Sequence, residues 1–78
     1  MTLGDLKKGD RVRIETIRTA ETSVQRLMVM GLVEGAELTF VGASLGGDPL
    51  EFLLHGSAVS LRQTDAQRFE VRPESVDD

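Results

Sequence analysis

TSVQRLMVMGL, residues 22–32, is the stretch on which the fold depends, because it carries the clearest helix signal in the chain. Val24, Leu27 and Met28 recur at the i, i+3, i+4 spacing that places apolar side chains on one helical face. A stripe of this kind packs against a core and leaves the opposite face to solvent. The pattern predicts one α-helix over residues 22–30.

Both ends of this helix carry boundary signals. Thr22 and Gln25 have the spacing of a capping box, which predicts Thr22 as the N-cap residue. At the other end, Gly31 is placed to adopt the left-handed conformation that ends many helices. Leu32 is then expected to fold back onto Leu27, which is the apolar contact of a Schellman motif.

Outside the helix, apolar and polar residues alternate at the two-residue period of β-strands. Ile17 falls out of phase with Val12 and Ile14, so either Ile17 is exposed or the first strand bulges near Thr16. Further along, Gly56-Ser57 fits a two-residue hairpin turn. The predicted strands cover residues 10–18, 36–42 and 50–55, followed by short strands that contain Val59 and Leu61 and then Phe69 and Val71.

Five short strands with one helix inserted after the first are typical of a small, partly open barrel, so the predicted fold class is mainly β. Short helical turns are expected at residues 2–6 and 64–67. We expect residues 1–73 to form one domain and residues 74–78 to form a flexible acidic tail. The predicted core consists of Leu3, Leu6, Val12, Ile14, Val24, Leu27, Met28, Leu32, Leu38, Phe40, Leu50, Phe52, Leu54, Val59, Leu61, Phe69 and Val71.

The composition is typical of one small domain in a reducing compartment. A chain of 78 residues has room for one core and little left for a deep cleft. The absence of cysteine excludes disulfides and thiolate zinc sites, and it favours the cytosol over a secreted location. No apolar run approaches the roughly 18 residues of a membrane span. We therefore expect a cytoplasmic protein that does not insert directly into a membrane.

Patterns that would indicate catalysis or metal binding are missing from the sequence. His55 is the only histidine, and it is predicted to be a solvated residue at the end of a strand. A transition-metal site needs three or four converging ligands, and a catalytic triad needs a nucleophile beside its base. The glycine-rich loop at residues 46–49 lacks the lysine and the following helix of a phosphate loop. We expect no catalytic residue, no metal site and no cofactor, so the protein is predicted not to be an enzyme.

The charge distribution disfavours a general nucleic-acid binder. The net charge is −4, and the chain has no Trp or Tyr on which bases could stack. Its modest basic cluster consists of Lys7, Lys8, Arg11 and Arg13, interleaved with Asp5, Asp10 and Glu15. Mixed charges of this kind are typical of a solvated strand and turn surface.

One small apolar surface is a candidate for binding another protein. Val29 and Met30 fall on either side of Arg26, well away from the buried stripe of the helix. The alternative is that loops cover this side of the helix. Leu53, which points outward on its strand, is the fourth candidate partner-binding residue. The three Phe residues all have inward parity, so no aromatic groove for a proline-rich peptide is expected.

Four short motifs follow one another along the chain: Leu3-x-x-Leu6-x-x-Gly9, Arg26-Leu27-x-x-x-Gly31-Leu32-x-x-Gly35, Gly47-Asp48-Pro49 and Leu61-Arg62-x-x-Asp65-Ala66. In these motifs the sequence resembles the FeoA family, small cytosolic accessory proteins of bacterial ferrous iron transport. The resemblance covers residues 2–71. This chain departs from the family pattern at Glu34, where proline is frequent, and at Asp65, where glutamate is common.

The resemblance implies an SH3-like barrel and a role as accessory to FeoB, the membrane permease with a cytosolic GTP-binding portion. The same module forms the C-terminal domain of some metal-dependent repressors. The alternative is therefore that the chain is a stand-alone SH3-like module that binds nucleic acid or regulates in response to metal. We expect no helix-turn-helix ahead of the domain, which favours the transport role. Weak self-association is left open. The motif residues themselves suit turns and core positions, so the resemblance does not identify a binding face.

Overall fold

Five antiparallel strands and one main helix form the fold, as the sequence predicts. The structure, a computed structural model, describes residues 1–19 and 21–74. The elements in chain order are β1 Arg11–Ile17, α1 Thr22–Val29, β2 Glu37–Ala43, β3 Leu50–Leu54, β4 Ser57–Leu61, α2 Gln63–Ala66 and β5 Phe69–Pro73, with 3₁₀ turns at Leu3–Asp5 and Leu45–Gly47.

The strands form one sheet in the order β4-β3-β2-β1-β5, and every pairing is antiparallel. The register of β1 against β5 shifts between Ile14 and Thr16, so the bulge alternative is the correct one for Ile17. Ile17 packs, half-buried, against the core. A second shift lies between Phe40 and Gly42 in β2 and was not predicted. Two bulges bend the sheet enough to curl it around a core without closing it.

The core is apolar throughout the described residues, with no buried polar or charged side chain. It contains most of the predicted residues, but Leu6, Leu27 and Met28 are only half-buried at its margin. Ala36 and Ala66 are buried although they were not predicted, because small side chains contribute little to a periodic apolar pattern. The helix therefore rests on the barrel through Val24, with Leu27 and Met28 at the edge of the contact.

The predicted N-cap of α1 is wrong by one residue. Thr22 is the first helical residue, and Glu21 is the N-cap, without a side-chain capping bond. The backbone N–H groups of Val24 and Gln25 both donate to the Glu21 carbonyl, at 3.0 and 2.9 Å. The first hydrogen bonds of the helix are therefore accepted by Glu21, and Thr22 lies inside the helix rather than at its N-cap.

The predicted C-terminal motif of α1 is confirmed. The N–H of Leu32 donates to the Leu27 carbonyl at 3.1 Å, and that of Gly31 donates to the Met28 carbonyl at 3.0 Å. These are the two hydrogen bonds of a Schellman motif, with Gly31 at a φ of +115°. A Cβ at Gly31 would also lie 3.3 Å from the Leu54 side chain, so both backbone and packing favour glycine here.

The β3–β4 hairpin turns one residue earlier than predicted. Leu54 pairs with Ser57, which leaves His55 and Gly56 as the two turn residues. Both have positive φ, 53° and 82°, as a type I′ turn requires. Gly56 occupies the second turn position and Ser57 begins β4, so His55 is an exposed turn residue rather than the end of a strand.

Two of the sequence motifs are joined in space. The loop before β3 meets the start of α2, where the Gln63 N–H donates to the Asp48 carboxylate at 2.9 Å and the Gln63 side chain donates to the Gly47 carbonyl at 3.0 Å. The motif around residues 47–49 therefore stabilises the N-terminus of α2, which otherwise has no capping side chain.

Candidate interaction surfaces

The C-terminal end of α1 presents apolar side chains to solvent. Val29 is 88% exposed, Met30 58% and Val33 41%. The Schellman motif explains this exposure, since it turns Leu32 into the core and leaves the residues on either side outside. We call Val29, Met30 and Val33 the helix-end patch. The alternative in which loops cover this side of the helix is therefore wrong for Val29 and Met30.

An open groove adjoins the helix-end patch. Ile17, Met28 and Val33 supply its apolar lining, and Thr19, Gln25 and Glu34 its polar rim. Its volume is about 590 Å³. Ile17 lines this groove after the register shift between Ile14 and Thr16, and its half-buried side chain packs against the core. Val33 belongs to both the patch and the groove and was missed by the sequence analysis, although its place next to buried Leu32 indicates an outward direction.

Arg26 lies in the last turn of α1 and is exposed. A cation is favoured there by the helix dipole, and among the described residues Arg26 forms no ion pair. The region that contains the helix-end patch thus combines exposed apolar side chains with a positive charge free for an external carboxylate. Aliphatic groups beside an arginine are a composition found in protein–protein contacts.

Leu53 lies on a different surface. It points outward from β3 and is flanked across the sheet by Thr39 and Ala58. It lines a second groove, of about 460 Å³, together with Arg11 and His55. The structure therefore brings Val29 and Met30 together at the end of α1 but places Leu53 in the lining of the other groove.

Five of the nine basic side chains of the chain pair with carboxylates of the described residues. Arg11 pairs with Glu37 at 2.7 Å, and Arg18 pairs with Glu70 at 3.1 Å. Weaker contacts join Arg68 to Glu21 and Arg72 to Glu15. These pairs reduce the basic surface that could release counterions from nucleic acid.

A further pair holds the end of β5 against the sheet. Arg13 donates to both carboxylate oxygens of Glu74, at 2.9 and 2.7 Å, and to the Gly35 carbonyl at 2.7 Å. These hydrogen bonds lower the pKa of the Glu74 carboxyl from its usual 4.5. Glu74 is the first residue of the predicted acidic tail, and it is fastened to β1. The rest of that tail, residues 75–78, lies outside the described residues.

The Arg13–Glu74 pair predicts a pH-dependent loss of stability on replacing Glu74 with Gln. Because the pKa of Glu74 is lower in the folded state, its carboxylate stabilises the fold above the unfolded-state pKa. That contribution is lost as the pH falls through the lowered pKa.

Urea titrations near neutral pH should show that wild type is more stable than Glu74→Gln, and the two free energies of unfolding should converge in acid. Glu34→Gln, a change at an exposed carboxylate without an ion pair among the described residues, is the control. An offset between Glu74→Gln and wild type that persists unchanged in acid would contradict this account.

Two further observations concern metal and membrane. Within residues 1–19 and 21–74, no three His, Cys, Asp or Glu side chains converge in a way that could hold a metal ion. In the same residues, no helix has the length and apolar character needed to cross a bilayer.

The comparisons with known proteins agree with the sequence resemblance. The family model of the FeoA domain matches residues 1–73 of the chain. No curated protein sequence matches it. Among solved structures, the chain is similar to the FeoA protein of Chlorobium tepidum, with 32% identity and a TM-score of 0.88 over 100% of this chain and 74% of that one.

Two other solved structures extend the likeness. A FeoA-like protein of Clostridium acetobutylicum is 28% identical, with a TM-score of 0.84 over 100% of this chain and 91% of that one. The zinc complex of FeoA from Stenotrophomonas maltophilia is 28% identical, with a TM-score of 0.79 over 92% of this chain and 89% of that one. That protein is described as a prokaryotic SH3 domain protein, for which a role as a ferrous iron transport activating factor has been suggested. The predicted SH3-like fold class is thereby confirmed.

Proposed function

Because the chain belongs to the FeoA family, we propose that it acts in ferrous iron transport as a non-catalytic cytosolic accessory protein that binds the cytosolic portion of a FeoB-type permease. The observation that carries this proposal is the match of the FeoA domain over residues 1–73, nearly the whole chain. The suggested role of the Stenotrophomonas protein as a transport activating factor points in the same direction.

The exposed surface supports a binding role. The helix-end patch and its adjoining groove offer apolar area that the fold itself leaves unburied, next to Arg26, which pairs with no carboxylate among the described residues. A surface of this size is suited to a weak, transient contact that buries less than about 1,200 Å². Such contacts are common among regulatory proteins that must release their partner.

Recognition of FeoB through a proline-rich segment is disfavoured. SH3 domains that bind polyproline helices use a groove lined by exposed aromatic side chains. Phe40, Phe52 and Phe69 are the only aromatic residues of this chain, and all three are buried. The rings of Phe40 and Phe52 pack on each other inside the barrel, with centroids 5.3 Å apart. The partner must therefore be recognised through aliphatic and charged side chains.

The proposal predicts that the purified chain binds the isolated cytosolic portion of FeoB saturably. Titration calorimetry or NMR shift mapping at modest salt measures the association. We expect a dissociation constant in the micromolar range, and no displacement by a proline-rich peptide. The control titrates the same FeoB portion with an unrelated SH3 domain of similar size. Failure to bind at concentrations far above this range, with both proteins folded, would contradict the proposed role.

A further inference from the structure

The outer edge of β4 has backbone groups that no other described residue pairs with. In a two-residue hairpin the residues that flank the turn exchange both hydrogen bonds, so Ser57, Val59 and Leu61 bond to β3. The N–H and C=O groups of Ala58 and Ser60 then point away from β3. None of these four groups bonds to another described segment of the backbone.

The opposite edge of the sheet is covered. The N–H of Val71 in β5 donates to the Met1 carbonyl at 2.9 Å, and Thr2 forms a bridge with Glu70. Proteins commonly protect edge strands by covering them or by placing charges and prolines on them. The sequence of β4, Ser57–Leu61 (SAVSL), has neither a charge nor a proline. It is an unprotected edge in a sheet whose other edge is protected.

We propose that β4 is a homotypic docking edge, at which a second copy of this chain adds antiparallel across a two-fold axis at Val59. In this register Ala58 lies opposite Ser60 of the second copy, and Ser60 lies opposite its Ala58. The four free backbone groups of one edge then meet the four of the other, which makes four hydrogen bonds and leaves none unpaired. The two sheets become one continuous ten-stranded sheet.

A second copy fits this edge because the strand is complementary to itself. Self-pairing of a charged strand opposes like charges, whereas no charge of β4 meets another here. The outward side chains, Ala58 and Ser60, are short and exposed, so they do not obstruct a neighbouring strand. The contact is small and the chain carries a net charge of −4, so the dimer is weak and strengthens with salt.

The test compares Ser60→Pro with Ser60→Ala in the full chain. The Ser60 N–H points away from β3, so proline removes a docking hydrogen bond without breaking the ladder of the hairpin. Both variants lose the hydrogen bond from the Ser60 hydroxyl to Glu51, which makes the alanine variant the matched control. Sedimentation over a concentration series should give a wild-type dissociation constant in the high micromolar range. Ser60→Pro should raise it at least about tenfold, and Ser60→Ala should not.

A charge variant and an exchange measurement complete the test if the proline variant folds poorly. Ala58→Lys with Ser60→Lys opposes lysines across the axis and should also abolish dimerisation, whereas the equally charged Thr22→Lys with Gln25→Lys should not. Hydrogen exchange at Ala58 and Ser60 should slow as wild-type concentration rises. The proposal is overturned if the wild type stays monomeric at about 1 mM, if Ser60→Pro dimerises as Ser60→Ala does, or if these amides are protected only when FeoB is added.

Discussion

Replacing Phe52 with Ala is expected to lower the free energy of unfolding by about 3–5 kcal/mol, the range found for buried aromatic residues. Phe52 has 0% of its surface exposed and lies in the middle of β3, with strands paired on both sides. Its ring packs on that of Phe40, 5.3 Å away between centroids. A domain of this size has roughly 4–12 kcal/mol of stability in total. The substitution should therefore remove about a quarter or more of the total stability of the domain.

The neighbouring position supplies the control for this prediction. Leu53 follows Phe52 directly but faces solvent, so Leu53→Ala should cost less than about 1 kcal/mol. Urea titration followed by circular dichroism measures both variants against wild type. Equal losses at the two positions would mean that the inward and outward faces of β3 are not those described here.

The period of the apolar pattern was enough to predict the sheet and its buried face. All three Phe residues are inside as predicted, because alternation in a strand leaves only two directions for a side chain. The bulge near Thr16 was also visible as a phase change at Ile17. The bulge between Phe40 and Gly42 could not be seen in the sequence. Val41, at the irregular position, is itself apolar, so the alternation of apolar and polar residues shows no clear change of phase there.

Boundaries that depend on a single backbone torsion were predicted less well. Gly56 was recognised as a turn residue, but Gly56-Ser57 and His55-Gly56 both satisfy a two-residue hairpin. Only the pairing of Leu54 with Ser57 decides between them, and that pairing depends on the register of β3 against β4. The N-cap at Glu21 was missed because the Thr22–Gln25 spacing predicted a side-chain cap, whereas Glu21 caps the helix without a side-chain hydrogen bond.

The candidate surface was predicted in part. Helical geometry placed Val29 and Met30 away from the buried stripe, but whether a loop covered them was a tertiary question. The structure leaves them open and adds Val33, whose direction depends on the Schellman turn. Leu53 was predicted as exposed and is exposed, although sequence parity could not tell that it lines a different groove. A surface is formed by residues that are distant in sequence. The period of the apolar pattern can therefore predict that each residue is exposed, but it cannot predict which exposed residues lie together.

Changing Val29 and Met30 together to Ser is expected to weaken association with the cytosolic portion of FeoB at least about tenfold. The two side chains are 88% and 58% exposed, so their replacement removes apolar contact area without opening the core. Unfolding free energy should change by no more than about 0.5 kcal/mol per position. Titration of the FeoB portion with wild type and variant measures the effect, with circular dichroism as the check on folding.

The chain offers a matched control for this variant at the far end of β2. Val41 and Leu45 are also exposed apolar residues, outside both the helix-end patch and its groove. If hydrophobicity alone caused binding, Val41→Ser with Leu45→Ser would weaken it as much as the helix variant. We expect that control to bind as wild type does, and Leu53→Ser tests separately whether the second groove takes part. Undiminished binding by a folded Val29→Ser, Met30→Ser variant would exclude the end of α1 and leave the sheet surface around Leu53 as the remaining candidate.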